Sequence, residues 1–263
     1  MTFSLVARCP RSLQFAVAVS SSSPAVAARC AFARAGVGAA TTQNVTDPRL
    51  GPQLLEALAA GCNADSALVK IAGSASFLEY RQLTVLDTQG RMAAHSGTKT
   101  LGLFGSAQGE NAISAGNLLA NTNVPNAVIA AFTATNPSDE LGARVIAAMQ
   151  AGLAAGGEAG PIKSAGLIVV AKEAWPIADL RVDWHDEPLA ELARLWDVWH
   201  PQMYDYVTRA LNPEAAPSYG VPGDESSVQI VLIQRQAHLR EMRVPELRLA
   251  LPGQSSFLRH LII

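Results

Sequence analysis

Thr2 is the residue of this chain best equipped to do chemistry alone. With the initiator Met1 removed, it would carry both a free α-amine and a hydroxyl. An α-amino group has a pKa of about 7.7–8.0, so much of it is neutral near physiological pH. That amine can take the hydroxyl proton while the oxygen attacks a carbonyl carbon, one residue serving as nucleophile and base. Many chains begin Met-Thr, and a frayed terminus is the plain alternative. Standard motifs are otherwise missing. Gly73-Ser74-Ala75-Ser76 is not a nucleophile elbow, and Gly36-Val37-Gly38 lacks the third glycine of a dinucleotide turn. Gly160-Pro161-Ile162-Lys163-Ser164 separates Gly from Lys, which a phosphate loop keeps adjacent. The histidines, His95, His185, His200, His238 and His260, lack the i, i+4 spacing of a zinc helix. No metal and no cofactor are expected.

Amide hydrolysis also needs a donor for the developing oxyanion, worth about 2.7–4 kcal/mol. Backbone N–H groups around Gly36 and Gly38 can supply it, and those glycines suit close sheet packing equally well. Thr41, Thr42 and Gln43 sit where a third strand could return beside Thr2. Arg34 can hold an anionic substrate or act on the Thr2 amine through its charge, against a surface or carboxylate-paired role. Asn117 can donate to the reacting carbonyl, or simply end a strand in a turn. His95 is a proton shuttle or a structural histidine. Asp179, Arg181 and Asp183 alternate along one strand face, which reads as an ion-pair ladder. A cysteine hydrolase on Cys9 or Cys30 with His95 finds no support in spacing.

Positioning such groups requires a framework. Phe3, Leu5 and Ala7, then Phe15, Val17 and Val19, alternate at the two-residue period of strands joined by the Cys9–Ser12 turn. Gly36–Thr42 is the third strand candidate. Asp47-Pro48 and Asn63 mark the starts of two helices. Gln82–Leu86 and Arg91–His95 form a hairpin, and Leu101–Ala107 pairs with Asn111–Gly116. Pro125–Thr135 and a segment capped by Ser138 are helical, followed by strands Leu167–Val170 and Leu180–Trp184. A helix capped by Asp186 then buries Leu189, Leu192, Trp196 and Trp199, and Pro201 interrupts it before Met203–Leu211. Strands in hairpins alternating with helix pairs favour an α+β fold, a four-layer α/β/β/α sandwich of antiparallel sheets.

The 263 residues are 49% hydrophobic and 16% charged, with a net charge of −2. That balance excludes disorder for most of the chain and argues against nucleic acid as a partner. Cys9, Cys30 and Cys62 have no C-x-x-C spacing and read as reduced thiols of a cytoplasmic protein. No apolar run approaches the ~18 residues of a membrane span, so no membrane partner is expected. The first acid-free stretch, with Arg8, Arg11, Arg29 and Arg34, has the flavour of a targeting segment. Its strand-like alternation and short apolar run, Phe15–Val19, favour mature protein instead. The domain is expected over residues 1–211, with a Pro-rich linker and extension over 212–263. Within that extension, Gln229–Gln234 reads as a strand and Ala237–Arg248 as a polar stretch. The apolar end, Phe257–Ile263, is expected to dock on the body or on a second subunit, which implies a homo-oligomer.

Several collinear blocks resemble the domain of unknown function 1028 family. Met1-Thr2-Phe3-Ser4-Leu5-Val6-Ala7-Arg8 is similar to its opening, and Ala33-Arg34-Ala35-Gly36-Val37-Gly38-Ala39 with Thr42-Gln43 to a second segment. Tyr80-Arg81-Gln82-Leu83, Ala93-Ala94-His95-Ser96-Gly97, Gly116-Asn117-Leu118-Leu119-Ala120 and Asp179-Leu180-Arg181-Val182-Asp183 follow in order. The family is regarded as similar to N-terminal nucleophile hydrolases. The resemblance therefore implies the same α/β/β/α fold, Thr2 as nucleophile and a small amide or peptide-like substrate. Departures occur at Cys9, at Ser21-Ser22-Ser23, at Trp184 and over Gly157–Ala165, where the usual arginines and glutamine are lost. These changes keep a second class open: a catalytically silent module of the same fold that binds a ligand or assembles.

Overall fold

The structure is a computed structural model that describes residues 1–224. The expectations over Gln229–Gln234, Ala237–Arg248 and Phe257–Ile263 lie outside the described residues. One compact unit is Met1–Val207, and a second begins at Thr208. In the second, the Arg209 guanidinium stacks 4.0 Å above the Tyr219 ring.

Alternating small and apolar residues give β1 (Thr2–Arg8) and β2 (Phe15–Ser21), paired antiparallel from Thr2↔Ser21 to Arg8↔Phe15. A short α1 (Ala27–Cys30) leads into β3 (Ala31–Arg34) and β4 (Gly38–Asn44). Helices α2 (Leu50–Ala59) and α3 (Ala64–Ala72) precede β5 (Arg81–Asp87) and β6 (Met92–Ser96). The hairpin of β7 (Leu103–Gly109) and β8 (Ala112–Leu119) is followed by α4 (Val124–Ala134) and α5 (Leu141–Ala154). Next come β9 (Ser164–Val170), β10 (Ala178–Val182), α6 (Pro188–Trp199) and α7 (Met203–Leu211). Among the described residues the fold is mixed α+β with two antiparallel sheets. Their strand orders are β10-β9-β2-β1-β8-β7 and β3-β4-β5-β6. No helix among the described residues is long and apolar enough to cross a membrane.

The strand expected over Gly36–Thr42 begins at Gly38 as β4 and pairs with β3 in a hairpin whose turn holds Gly36 at φ +68°. Nor does it return beside Thr2. Both edges of β1 are taken, by β2 and β8, so β4 builds the second sheet with β5. Gly38 is required there, because a Cβ would sit 2.5 Å from the Leu86 carbonyl oxygen. Asn63 does cap α3, its side chain accepting from the Ser66 N–H at 2.8 Å. Ser138 does not cap α5, whose cap position is Glu140; Ser138 lies in the preceding turn, its N–H donating to Asn136 Oδ1. Asp186 is no cap either, since Lys163 holds its carboxylate at 2.5 Å. Arg181 grips Asp179 through two bonds of 2.8 Å, the pairing expected along that strand.

Three apolar cores organise these elements. Phe3, Leu5, Ala7 and Leu167 pack with Val128, Val145, Met149 and Leu192 of α4, α5 and α6. On the other face of the same sheet, Val6, Phe15, Val17 and Ile113 meet Ala39 and Leu86 of the second sheet. Leu83 and Val85 then pack against Leu54, Leu58 and Ile71 of α2 and α3. Strand alternation produces all three, since successive side chains leave on opposite faces.

The turn from β5 to β6 is pinned by Asp87, which is 3% exposed. It accepts from Arg91 Nε at 2.7 Å and from the N–H groups of Gln89, Arg91 and Ala64. Burial alone would raise its pKa, but Arg91 and those backbone donors outweigh it and hold the carboxyl below its ordinary value. The stabilisation is therefore present above the unfolded pKa and lost as pH falls through the folded one. Asp87→Asn is expected to cost about 1–3 kcal/mol at neutral pH. The gap between wild-type and variant melting curves should shrink below about pH 4.

Candidate active site

Thr2 lies on the face of β1 that looks at the second sheet, because Val6 on that face packs with Ala39 and Leu86. Its cross-strand partners Ser21 and Asn117 share the face. Opposite them, Thr41 and Gln43 follow Ala39 at the two-residue period, and Gln82 and Thr84 precede Leu86 in the same way. The space between the sheets thus turns from apolar at one end to polar at the other. Gln82 Oε1 accepts from Gln43 Nε2 at 2.8 Å and from Asn117 Nδ2 at 3.1 Å. Gln82 Nε2 donates to the Gly116 carbonyl and to Ser96 Oγ, each at 3.0 Å. Gln43 and Gln82 are fully buried, and Gln43 Oε1 has no partner among the described residues. Burying so many amides is costly unless they are satisfied, so the network holds its members in place.

At the mouth of this space the Thr2 hydroxyl donates to the Met1 carbonyl oxygen at 2.5 Å and stands 3.4 Å from Ser21 Oγ. Ser21 Oγ donates to the same carbonyl at 2.5 Å. Ser21 is itself fixed by the Ser23 N–H at 3.1 Å, and Arg29 Nη2 donates to Ser23 Oγ at 2.7 Å. The Met1 side chain rests on Gly160, where a Cβ would stand 3.0 Å from the methionine Cε. Beside it, Glu158 bridges to Leu119 at the end of β8 and accepts the Ser22 N–H at 3.0 Å through Oε2. Its Oε1 is buried with no partner among the described residues. Burial pushes the Glu158 carboxyl up to about 7, against the pull of the positive N-terminus and the Ser22 bond.

Three residues singled out in the sequence are not part of this site. Gly38 stands five residues from Gln43 along β4, about 17 Å away. Arg34 pairs with Gly38 in the same hairpin, whose turn carries Gly36, so all three lie at the far end of that strand. Arg34 instead lines a groove of about 570 Å³ with Lys172 and Trp175. Thr2, Gln43 and Asn117 are brought together. The cysteine alternative fails on geometry. Cys9 belongs to the core under α4–α6, whereas His95 faces the other side of the second sheet and holds the Leu78 carbonyl at 3.2 Å. Burial raises the Cys30 thiol, away from reactivity.

Ser21, Gln82, Ser96 and Glu158 complete the site and were not picked out as functional from the sequence. A signal existed for three of them: Ser21 breaks the inward run Phe15, Val17, Val19, and Gln82 and Ser96 lie in the Tyr80-Arg81-Gln82-Leu83 and Ala93-Ala94-His95-Ser96-Gly97 blocks. Glu158 had none, because its place depends on a loop closing against β8.

The family of unknown function designated DUF1028 matches residues 2–192. The chain belongs to this family. The DUF1028 match takes in Thr2, Ser21, Gln43, Gln82, Asn117 and Glu158 and stops inside α6. Among solved structures, the chain is similar to protein SPO2555 from Silicibacter pomeroyi, itself assigned to DUF1028. The identity is 26% and the TM-score 0.71, over 78% of this chain and 89% of that one. A fainter likeness, at 9% identity and TM-score 0.33, is to Anbu (ancestral beta-subunit) from Yersinia bercovieri, over 78% of this chain and 97% of that one. No curated protein matches the chain.

Proposed function

We propose that this DUF1028 protein is an N-terminal-threonine amidohydrolase acting on a small amide or peptide-like substrate. In this reading the three cores are the interfaces of a four-layer α/β/β/α sandwich. The observation that carries it is the Thr2 hydroxyl, set at the polar end of the space between the sheets beside Ser21 and Asn117. Once Met1 is removed, the Thr2 amine takes the proton of its own hydroxyl while the oxygen bonds to the substrate carbonyl carbon. The resulting ammonium gives that proton to the departing amine, and water then hydrolyses the ester on Thr2. Ser21 Oγ, which now donates to the Met1 carbonyl oxygen, is placed to donate to the substrate oxyanion. Intact mass and a screen of diverse amides test the reading together: the active form should lack Met1.

A second reading has its own observation. With Met1 in place, its side chain rests on Gly160, its carbonyl oxygen takes the Thr2 and Ser21 hydroxyls, and Thr2 is 6% exposed. Uniform retention of Met1 in purified protein, with no turnover on any amide, would make the chain a silent ligand-binding or assembly module.

Glu158 links charge, stability and rate. Its folded pKa of about 7 lies above the ordinary 4.5. The stability it contributes as a neutral acid is therefore complete below about 4.5 and lost as pH rises through about 7. Glu158→Gln stays neutral throughout, so its melting temperature should exceed the wild-type value increasingly from pH 5 to pH 8. An ionised carboxylate near the Thr2 amine favours the ammonium. Its removal should move the acid limb of the pH–rate profile to lower pH. An unmoved limb would leave Glu158 no part in the proton chemistry.

A further inference from the structure

At the other end of β1, about 23 Å from Thr2 by strand length, lies a separate cavity of about 180 Å³. Its wall includes Cys9, Pro10, Arg11, Phe132, Pro137 and Arg144. Arg144 is its unusual member. The residue is 8% exposed, yet its guanidinium makes no ion pair with any described carboxylate. Nε donates to Thr135 Oγ1 at 2.8 Å, and the guanidinium stacks 4.4 Å from the Phe132 ring. The two terminal nitrogens, with four N–H donors, have no hydrogen-bond partner among the described residues.

Burial lowers the pKa of this guanidinium, and the charge of Arg11 nearby adds to the effect, against Cys9 and Asp139. A guanidinium so far withdrawn from water and without a counter-ion gains from one, and an anion between the two arginines would relieve both the desolvation and the repulsion. Glu110 also borders the cavity but pairs with neither arginine.

We propose that this cavity is a binding site for a small organic carboxylate. Its two oxygens take the terminal nitrogens of Arg144 in a fork, and its apolar body lies against Pro10, Phe132 and Pro137. The volume suits a molecule of about five to eight heavy atoms, well below the range of drug-sized pockets. The apolar walls favour a carboxylate over inorganic phosphate, whose remaining oxygens would face carbon without partners. The site is independent of any chemistry at Thr2.

Calorimetric titration of the full chain with isobutyrate, isobutyramide and inorganic phosphate tests the assignment. Isobutyrate should bind at one site per chain, with the neutral amide and phosphate each at least tenfold weaker. Arg144→Lys, which keeps the charge and loses the fork, should weaken isobutyrate at least tenfold, while Thr2→Ala leaves it unchanged. In the wild-type protein, isobutyrate methyl protons should show nuclear Overhauser contacts to the Phe132 ring, a readout that needs no variant to fold. Equal binding of the amide, tighter binding of phosphate, unchanged affinity in Arg144→Lys or no binding of isobutyrate would each overturn the proposal. Loss of amide turnover in Thr2→Ala with isobutyrate binding intact would separate the two sites. Intact binding in a protein without amidase activity would leave this site standing and remove only the other.

Discussion

Thr2→Ala is expected to abolish amide turnover, with kcat falling by at least about 10⁴-fold, as for removal of a covalent nucleophile elsewhere. The fold should hardly notice. The Thr2 hydroxyl stands 3.4 Å from Ser21 Oγ, its other acceptor, the Met1 carbonyl, leaves with Met1, and losing one hydrogen bond costs about 1 kcal/mol. At about 2–4 °C per kcal/mol for a unit of this size, the melting temperature should fall by only a few degrees. Thr2→Ser keeps hydroxyl and amine and should retain measurable activity. Acetylating the terminal amine of the processed protein should silence it without removing the hydroxyl. Turnover by Thr2→Ala at the wild-type rate would show that some other group attacks the amide.

Phe3→Ala, one residue along the strand, should have the opposite balance. Phe3 is fully buried on the helix side of β1, in the core with Val128 and Met149. Its ring reaches α5, where a Cβ added to Gly152 would stand 3.2 Å from Phe3 Cε2. Truncating a buried phenylalanine costs about 3–5 kcal/mol through lost contacts and the cavity left behind. The melting temperature should therefore drop by about 6–20 °C. Leu103→Ala is the control: that side chain is 51% exposed on the edge strand β7, and its loss should fall within about 0.5 kcal/mol. A melt unchanged by Phe3→Ala would mean that β1 does not sit against α5. Adjacent residues thus divide the work of one strand, Phe3 holding it to the helices and Thr2 facing the second sheet.

Much of this framework was legible because the governing patterns are local. The alternation of Phe3, Leu5 and Ala7, the cap at Asn63 and the turn ahead of Arg91 depend on residues a few positions apart. Errors fell where a local signal had a competing explanation. Ser138 and Asp186 have the side chains of helix caps, but Ser138 sits in a turn of its own and Asp186 is drawn to Lys163. Gly36 and Gly38 signal special backbone geometry, and their purpose proved to be a hairpin turn and close packing rather than a donor pair near Thr2.

By itself the sequence determined most strand and helix segments of the described residues and the two-residue rhythm that gives each strand two unlike faces, and it singled out Thr2. Tertiary structure alone decided that β4 joins the second sheet, that Gln43, Gln82 and Asn117 meet at the Thr2 end, and that Arg34 lies at the other. It also placed Glu158 beside the terminus and left Arg144 buried without a carboxylate. Periodicity sets the face to which a side chain points, whereas sheet membership depends on which strand edges remain unpaired once distant segments have come together.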